Sequence, residues 1–135
     1  MSCGSLSRNA VLALNAGARM GNFAHNTGEG GLSPYQLEPG GDLIWQIGTG
    51  YFSCRTRDGR FSEEEFARRA ALPAVKMIEI KLSQGAKPGH GGILPARTLT
   101  PEIIEIRGVE PGKDVVSPPA GLFATVWAAS SADAF

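Results

Sequence analysis

Two glycine-rich stretches carry the side chains of this sequence that could do chemistry. The first is Asn26-Thr27-Gly28-Glu29-Gly30-Gly31, three glycines around one carboxylate. The second runs Gln84-Gly85-Ala86-Lys87-Pro88-Gly89-His90-Gly91-Gly92 and holds an amide, an ammonium and an imidazole. Arg107 follows at the end of a helical pattern. Glycines let backbone approach a ligand closely because no Cβ stands in the way. Lys87 and Arg107 are cations that could hold carboxylates, Arg107 through a bidentate fork. Gln84 both donates and accepts, and Glu29 accepts from a flexible frame. Such a set suits a small dianion beside a flat cofactor. The alternative is a tight turn with a solvated Glu29, and surface charges at Lys87 and Arg107. His25 and His90 are the only histidines, and both read as hydrogen-bonding loop residues rather than metal ligands. No Walker A, dinucleotide fingerprint, H-E-x-x-H or G-x-S-x-G spacing occurs.

The elements that must position these groups alternate between strand and helix. Val75 to Leu82 reads as a strand, with Val75, Met77, Ile78, Ile80 and Leu82 apolar, and it runs straight into the second loop. Upstream, Ser7 caps a helix over Arg8 to Met20 whose inner face is Val11, Leu14 and Ala18, closed by Gly21. Phe23-Ala24-His25 is a short strand candidate. Leu32 to Gly41 reads as a loop because of Pro34, Pro39 and Gly40-Gly41. Leu43 to Ile47 is a short helical or extended piece, Tyr51 to Arg55 alternates like a strand, and Asp58-Gly59 turns. Ser62 with Glu65 has capping-box spacing for a helix to about Ala71, acidic first and basic last. Ile93 to Leu99 looks irregular. Thr100-Pro101 opens a helix to Arg107, and Asp114 to Val116 is a short strand. Strand-then-loop order of this kind points to α/β, with sites at the carboxyl ends of strands. About three βα units are present, too few to close an eight-stranded barrel.

Composition narrows the classes further. The chain has 135 residues with 13 basic and 13 acidic side chains, so its net charge is zero. That balance argues against a nucleic-acid or anionic-membrane surface. No apolar run approaches a membrane span and the opening residues lack a signal-peptide pattern, so the expectation is a cytoplasmic protein. Eighteen glycines and nine prolines, a fifth of the chain, mark a loop-rich domain. Cys3 and Cys54 are too few for a disulfide framework or a four-ligand metal site. Residues 120–135 lack caps and periodicity and read as a poorly packed tail after a domain over residues 1–119.

The glycine motifs, together with Ile80-Lys81-Leu82-Ser83 before the second one, Ser117-Pro118-Pro119, and the opening Met1-Ser2-Cys3-Gly4-Ser5-Leu6-Ser7, closely resemble the flavin domain of glutamate synthase. The nearest likeness is to the shorter, stand-alone proteins of that family, and it covers about Met1 to Pro119. The resemblance implies part of a (β/α)8 TIM barrel that binds FMN at its carboxyl face. The reaction it implies is reductive amination of 2-oxoglutarate to L-glutamate, by hydride transfer from reduced flavin to 2-iminoglutarate. The implied partners are 2-oxoglutarate, an ammonia or glutamine source and an unidentified electron donor. Carried over by position, Lys87 and Glu29 take catalytic roles, and Gln84, Lys87, Arg107 and Glu29 bind substrate. Ser2, Gly4, Lys81 and Gln84 lie near the cofactor.

Departures from the family pattern are specific. Ile93 stands where the large synthases have glutamine, and His90 where they have glutamate. The cysteine cluster for an iron-sulfur centre is absent from this chain, as is the amidotransferase's N-terminal cysteine. The half of the barrel where such folds bind the cofactor phosphate is missing, and the resemblance stops past Pro119 as after a truncation or frameshift. Two other functions therefore stay open from sequence: a non-catalytic barrel fragment, and another FMN-dependent barrel acting on hydroxy acids or nucleotides.

Overall fold

A computed structural model describes residues 1–84 and 91–120. Its centre is a three-stranded parallel sheet in the order β1 (His25–Asn26), β2 (Leu43–Ile47), β3 (Val75–Ile80). Parallel neighbours need long crossovers, and helices supply them. α1 (Arg8–Gly21) precedes β1, α2 (Pro34–Leu37) lies between β1 and β2, and α3 (Glu63–Ala70) lies between β2 and β3. A second, two-stranded antiparallel sheet pairs β4 (Gly92–Leu94) with β5 (Val115–Ser117), and α4 (Pro101–Arg107) falls between them. This α/β arrangement is consistent with part of a βα barrel.

β2 is the middle strand, because it is paired on both sides. Its burial alternates: Leu43, Trp45 and Ile47 are buried, while Ile44 and Gln46 face the other way. The buried set packs with Leu32 and Cys54 against Phe66, Ala70, Leu72 and Ile78. Trp45 stacks on Phe66 at 5.8 Å between ring centroids. Truncating a buried aromatic of this size costs about 3–5 kcal/mol. On the opposite face the register sets Gln46 beside Glu79. Glu79 accepts from Asn26 Nδ2 at 3.0 Å and from Gln46 Nε2. β3 is half covered, with Met77 and Ile80 exposed.

Local signals set most helix ends. Ser7 accepts from Ala10 N at 3.3 Å, Ser62 from Glu65 N at 3.3 Å, and Thr100 from Ile103 N at 3.2 Å ahead of Pro101. α1 differs from expectation at two places. Its left-handed cap is Asn22, φ 54°, one residue after Gly21. Its buried stripe is Val11, Asn15 and Ala18, with Leu14 turned outward. Asn15 takes the inner place because its Oδ1 accepts from the buried Gly41 N–H at 3.0 Å.

Four further expectations are corrected. The stretch 32–41 contains α2, and Ile93 lies within β4 rather than in irregular chain. Tyr51 to Arg55 is not a strand: Tyr51 and Ser53 have φ of 53° and 70°, which folds the chain into a turn. His25 is a buried strand residue, and neither of its ring nitrogens has a hydrogen-bond partner among the described residues. The tail expected over residues 120–135 lies, after Ala120, outside the described residues.

Candidate functional site

The loops that hold Glu29, Thr49, Lys81 and Gln84 each leave the carboxyl end of a parallel strand. β1 leads into Thr27 to Gly31, β2 into Gly48-Thr49-Gly50, and β3 into Lys81 to Gln84. The first loop is built tightly. Asn26 Oδ1 accepts from Gly28 N at 2.8 Å, and Thr27 Oγ1 accepts from Gln46 N at 3.0 Å. Gln36, fully buried at the start of α2, ties this loop to the opening residues. Its Oε1 accepts from Ser33 N at 2.8 Å, and its Nε2 donates to Thr27 O at 3.1 Å and Met1 O at 3.2 Å. Ser2 and Gly4 are thereby held beside the Glu29 loop.

The three loops bring Glu29, Lys81 and Gln84 together. Gln84 Nε2 donates to Glu29 Oε2 at 2.7 Å and to Thr49 Oγ1 at 3.2 Å. Lys81 Nζ donates to Gln84 Oε1 at 3.1 Å and lies 3.3 Å from Glu29 Oε2. The carboxylate therefore faces an ammonium and an amide N–H at once, and the amide oxygen is held by the same ammonium. Gln84 is buried, so its orientation is fixed by these bonds. Gly48 is required here: a Cβ on it would stand 2.6 Å from Glu29 Cβ and 2.8 Å from Glu29 Oε2.

Beside this cluster lies a cavity of about 290 Å³, lined on its polar side by Ser2, Gly4, Glu29 and Arg107, and on its apolar side by Phe52 and Ile93 among others. Arg107, in the last turn of α4, puts its guanidinium 4.8 Å from the centre of the Phe52 ring. Its Nη2 reaches Cys3 O at 3.4 Å, and its Nε is buried without a partner among the described residues. No carboxylate lies within ion-pair distance of it among the described residues. Burial pulls its pKa below the usual arginine value, a pull that the charges of Cys3 and Glu29 oppose. The group stays cationic, because arginine is not deprotonated in proteins, and so it holds a partly desolvated positive charge with no carboxylate in ion-pair contact among the described residues.

Of the residues singled out from sequence, Glu29, Gln84 and Lys81 form one hydrogen-bonded cluster, and Glu29 joins it to the cavity where Ser2, Gly4 and Arg107 sit. Lys87 and His90 lie outside the described residues. His25 belongs to the strand interior and is not among the residues lining the cavity. Thr49 and Phe52 went unread in the sequence. A polar residue between two glycines at a strand's end was the available signal for Thr49. Phe52 had none, because the alternation around it suggests a strand. Cys54 is fully buried, and burial pushes its thiol up to about 12, so it is an inert core residue. No group of three or more metal-ligating side chains occurs among the described residues, and no helix among them is long and apolar enough to cross a membrane.

Comparison with known proteins covers the same stretch as the motifs. The family described as the conserved region in glutamate synthase matches residues 1–123. A Bacillus subtilis protein described as glutamate synthase large subunit-like, YerD, is 49% identical over 119 residues, which is 87% of this chain and 22% of that protein. An archaeal-type NADPH glutamate synthase of Thermotoga maritima is 39% identical over 118 residues, 87% of this chain and 21% of that protein. An archaeal NADPH glutamate synthase of Methanocaldococcus jannaschii is 39% identical over 119 residues, with the same shares. The chain thus spans about a fifth of the length of these relatives.

Proposed function

Since this chain belongs to the glutamate synthase family, we propose that its glycine-loop cluster and the adjoining cavity form the substrate side of a glutamate synthase-type site. The observation that carries the reading is Arg107, a partly buried cation at a cavity wall whose Nε has no hydrogen-bond partner, and which has no carboxylate in ion-pair contact, among the described residues. A 2-oxoglutarate carboxylate satisfies it with the bidentate geometry that guanidinium favours. Glu29, held between Lys81 and Gln84, keeps a fixed anionic edge toward the same cavity. An iminium nitrogen, or the ammonium of the glutamate product, pairs with that edge. Lys87 supplies a second cation for the distal carboxylate. The residues suit the substrate and ring portion of an FMN site: Gly4 lies against Arg107 without a side chain, and the cavity has one apolar wall. FMN, when bound, supplies the two-electron reduction of 2-iminoglutarate. Ser2, Gly4, Lys81 and Gln84 stand on its side of the site, and positive charge at Lys81 favours electron density near it. The electron donor and the ammonia or glutamine source are partners of the complete enzyme.

A second reading rests on the share of the relatives covered, 21–22%. In it, these residues supply one wall of the site and the chain alone is not catalytic. An absorbance spectrum separates the two. Bands near roughly 370 and 450 nm, a property of the cofactor, on the purified chain together with saturable 2-oxoglutarate binding support the enzyme. A colourless chain that binds 2-oxoglutarate supports the wall alone, and no response of Arg107 to 2-oxoglutarate overturns the site.

A further inference from the structure

The turn at Tyr51-Phe52-Ser53 lies apart from the polar cluster, yet it is held in an unusual way. Tyr51 and Ser53 are two of only three non-glycine residues with positive φ among the described residues, and the third, Asn22, is a helix cap. Left-handed backbone at such residues persists only where surrounding bonds over-determine it. Backbone bonds from Tyr51 N to Gly48 O at 3.1 Å and from Cys54 N to Tyr51 O at 3.0 Å close the turn, and the Ser53 hydroxyl ties it to the rest of the chain. Ser53 Oγ accepts from Leu32 N at 2.8 Å and donates to Ile106 O at 2.8 Å, both buried. Gly31 makes room for it, since a Cβ there would lie 2.5 Å from that oxygen. Leu32 closes the Glu29 loop, and the Ile106 carbonyl belongs to the peptide bond that precedes Arg107. A single side chain therefore couples the backbones of two candidate ligand groups far apart in sequence. The residue between the strained positions, Phe52, is 2% exposed and offers its ring to the Arg107 guanidinium.

We propose that Phe52 and Ser53 are positioning residues for Arg107: Ser53 fixes its backbone against the Glu29 loop, and Phe52 fixes its guanidinium at the cavity wall. That Arg107 then receives a carboxylate rests on the function proposed above; that the turn sets its geometry does not. An aromatic face holds a guanidinium by its quadrupole at low entropic cost, without neutralising the charge that an anionic ligand needs. A carboxylate partner in the same place would compete with the ligand.

The test reads the unliganded and liganded states separately. In the unliganded chain, the Arg107 Nε–Hε resonance carries the ring-current shift of Phe52. That shift disappears in Phe52→Leu and falls in Ser53→Ala, where the peptide before Arg107 is released. Pentafluorophenylalanine at position 52 keeps the ring's shape, reverses its quadrupole and leaves the core packed, so it guards against a variant that fails to fold. In this variant the guanidinium leaves the ring. Affinity for 2-oxoglutarate then drops roughly 3- to 30-fold, the range of a cation–π contact. An Arg107 resonance unchanged in all three variants overturns the proposal. A wild-type chain whose Arg107 shows the ring shift but ignores 2-oxoglutarate leaves the positioning intact and removes the substrate reading instead.

Discussion

Replacing Gly48 by alanine tests whether the Glu29 cluster is as tightly built as its geometry indicates. The added methyl would sit 2.6 Å from Glu29 Cβ, whereas carbons prefer about 3.5–4.0 Å. Glu29 must therefore retreat by about 1 Å. The Gln84–Glu29 hydrogen bond, 2.7 Å long, then stretches beyond a useful length. Overpacking costs about 1–3 kcal/mol and loss of a hydrogen bond to a charged group about 1.5–3 kcal/mol. The Glu29 side chain is 30% exposed, so water replaces part of the lost bond, and the expected total is about 2–3 kcal/mol. Urea unfolding of four chains measures it: wild type, Gly48→Ala, Glu29→Gly and the double variant. Glu29→Gly removes both the Cβ and the carboxylate, so Gly48→Ala should cost almost nothing in that background. An equal cost in both backgrounds would refute the steric and polar argument together.

Other expectations follow from single features. Burial, with the N-terminal charge beside it, lowers the His25 pKa below 6.5. The unfolded chain then binds a proton that the folded one refuses, so stability falls as pH drops below about 6.5, by up to about 1.4 kcal/mol per unit until the folded pKa is reached. A His25→Leu variant should flatten that slope between pH 6.5 and 5, and an unchanged slope would show that another group causes it. Asn15→Leu strips the buried Gly41 N–H of its acceptor and should cost about 1–3 kcal/mol in urea; a neutral result would mean that water replaces the side chain. Cys54, with its thiol near 12 and no exposure, should react with a disulfide reagent only at the rate of unfolding. In a full-length relative, Lys87→Ala should lower 2-oxoglutarate-dependent turnover about 10- to 150-fold, while Arg107→Ala should chiefly weaken 2-oxoglutarate binding. Retention of flavin and full rate in the Lys87 variant would make that residue a surface charge.

What could be read in the sequence was what local chemistry decides. Ser7, Ser62 and Thr100-Pro101 announce helix starts because the capping oxygen and its N–H partner lie within three residues. The strand β3 was legible from its β-branched run. Long-range bonds overruled local pattern elsewhere. The alternation of Tyr51 to Arg55 gave way because the bonds that hold Ser53 at φ 70° come from Leu32 and Ile106. Leu14 lost the inner face of α1 to Asn15 because a backbone N–H at Gly41 needed an acceptor. β4 went unread since its partner, β5, is supplied only after a helix. The candidate cluster was legible only as motifs, whose likeness to one family drew attention to Glu29, Lys81 and Gln84. No spacing rule places Glu29 against Gln84, which is 55 residues away.

The polar rung across the sheet, where Asn26 and Gln46 both donate to Glu79, also acts as a proofreading device for strand alignment. Slippage of β3 by one residue would bring Ile78 or Ile80 opposite Gln46 and swing the Glu79 carboxylate toward the Trp45 side of the sheet, among apolar groups. Slippage by two would set Met77 or Lys81 beside Gln46, leaving the two amides without their shared acceptor. Apolar strands tolerate such misalignment because one β-branched residue replaces another at little cost. A single carboxylate claimed from the two other strands of the sheet makes each wrong alignment expensive, so the strand that delivers Lys81 and Gln84 to the cluster arrives in one register only.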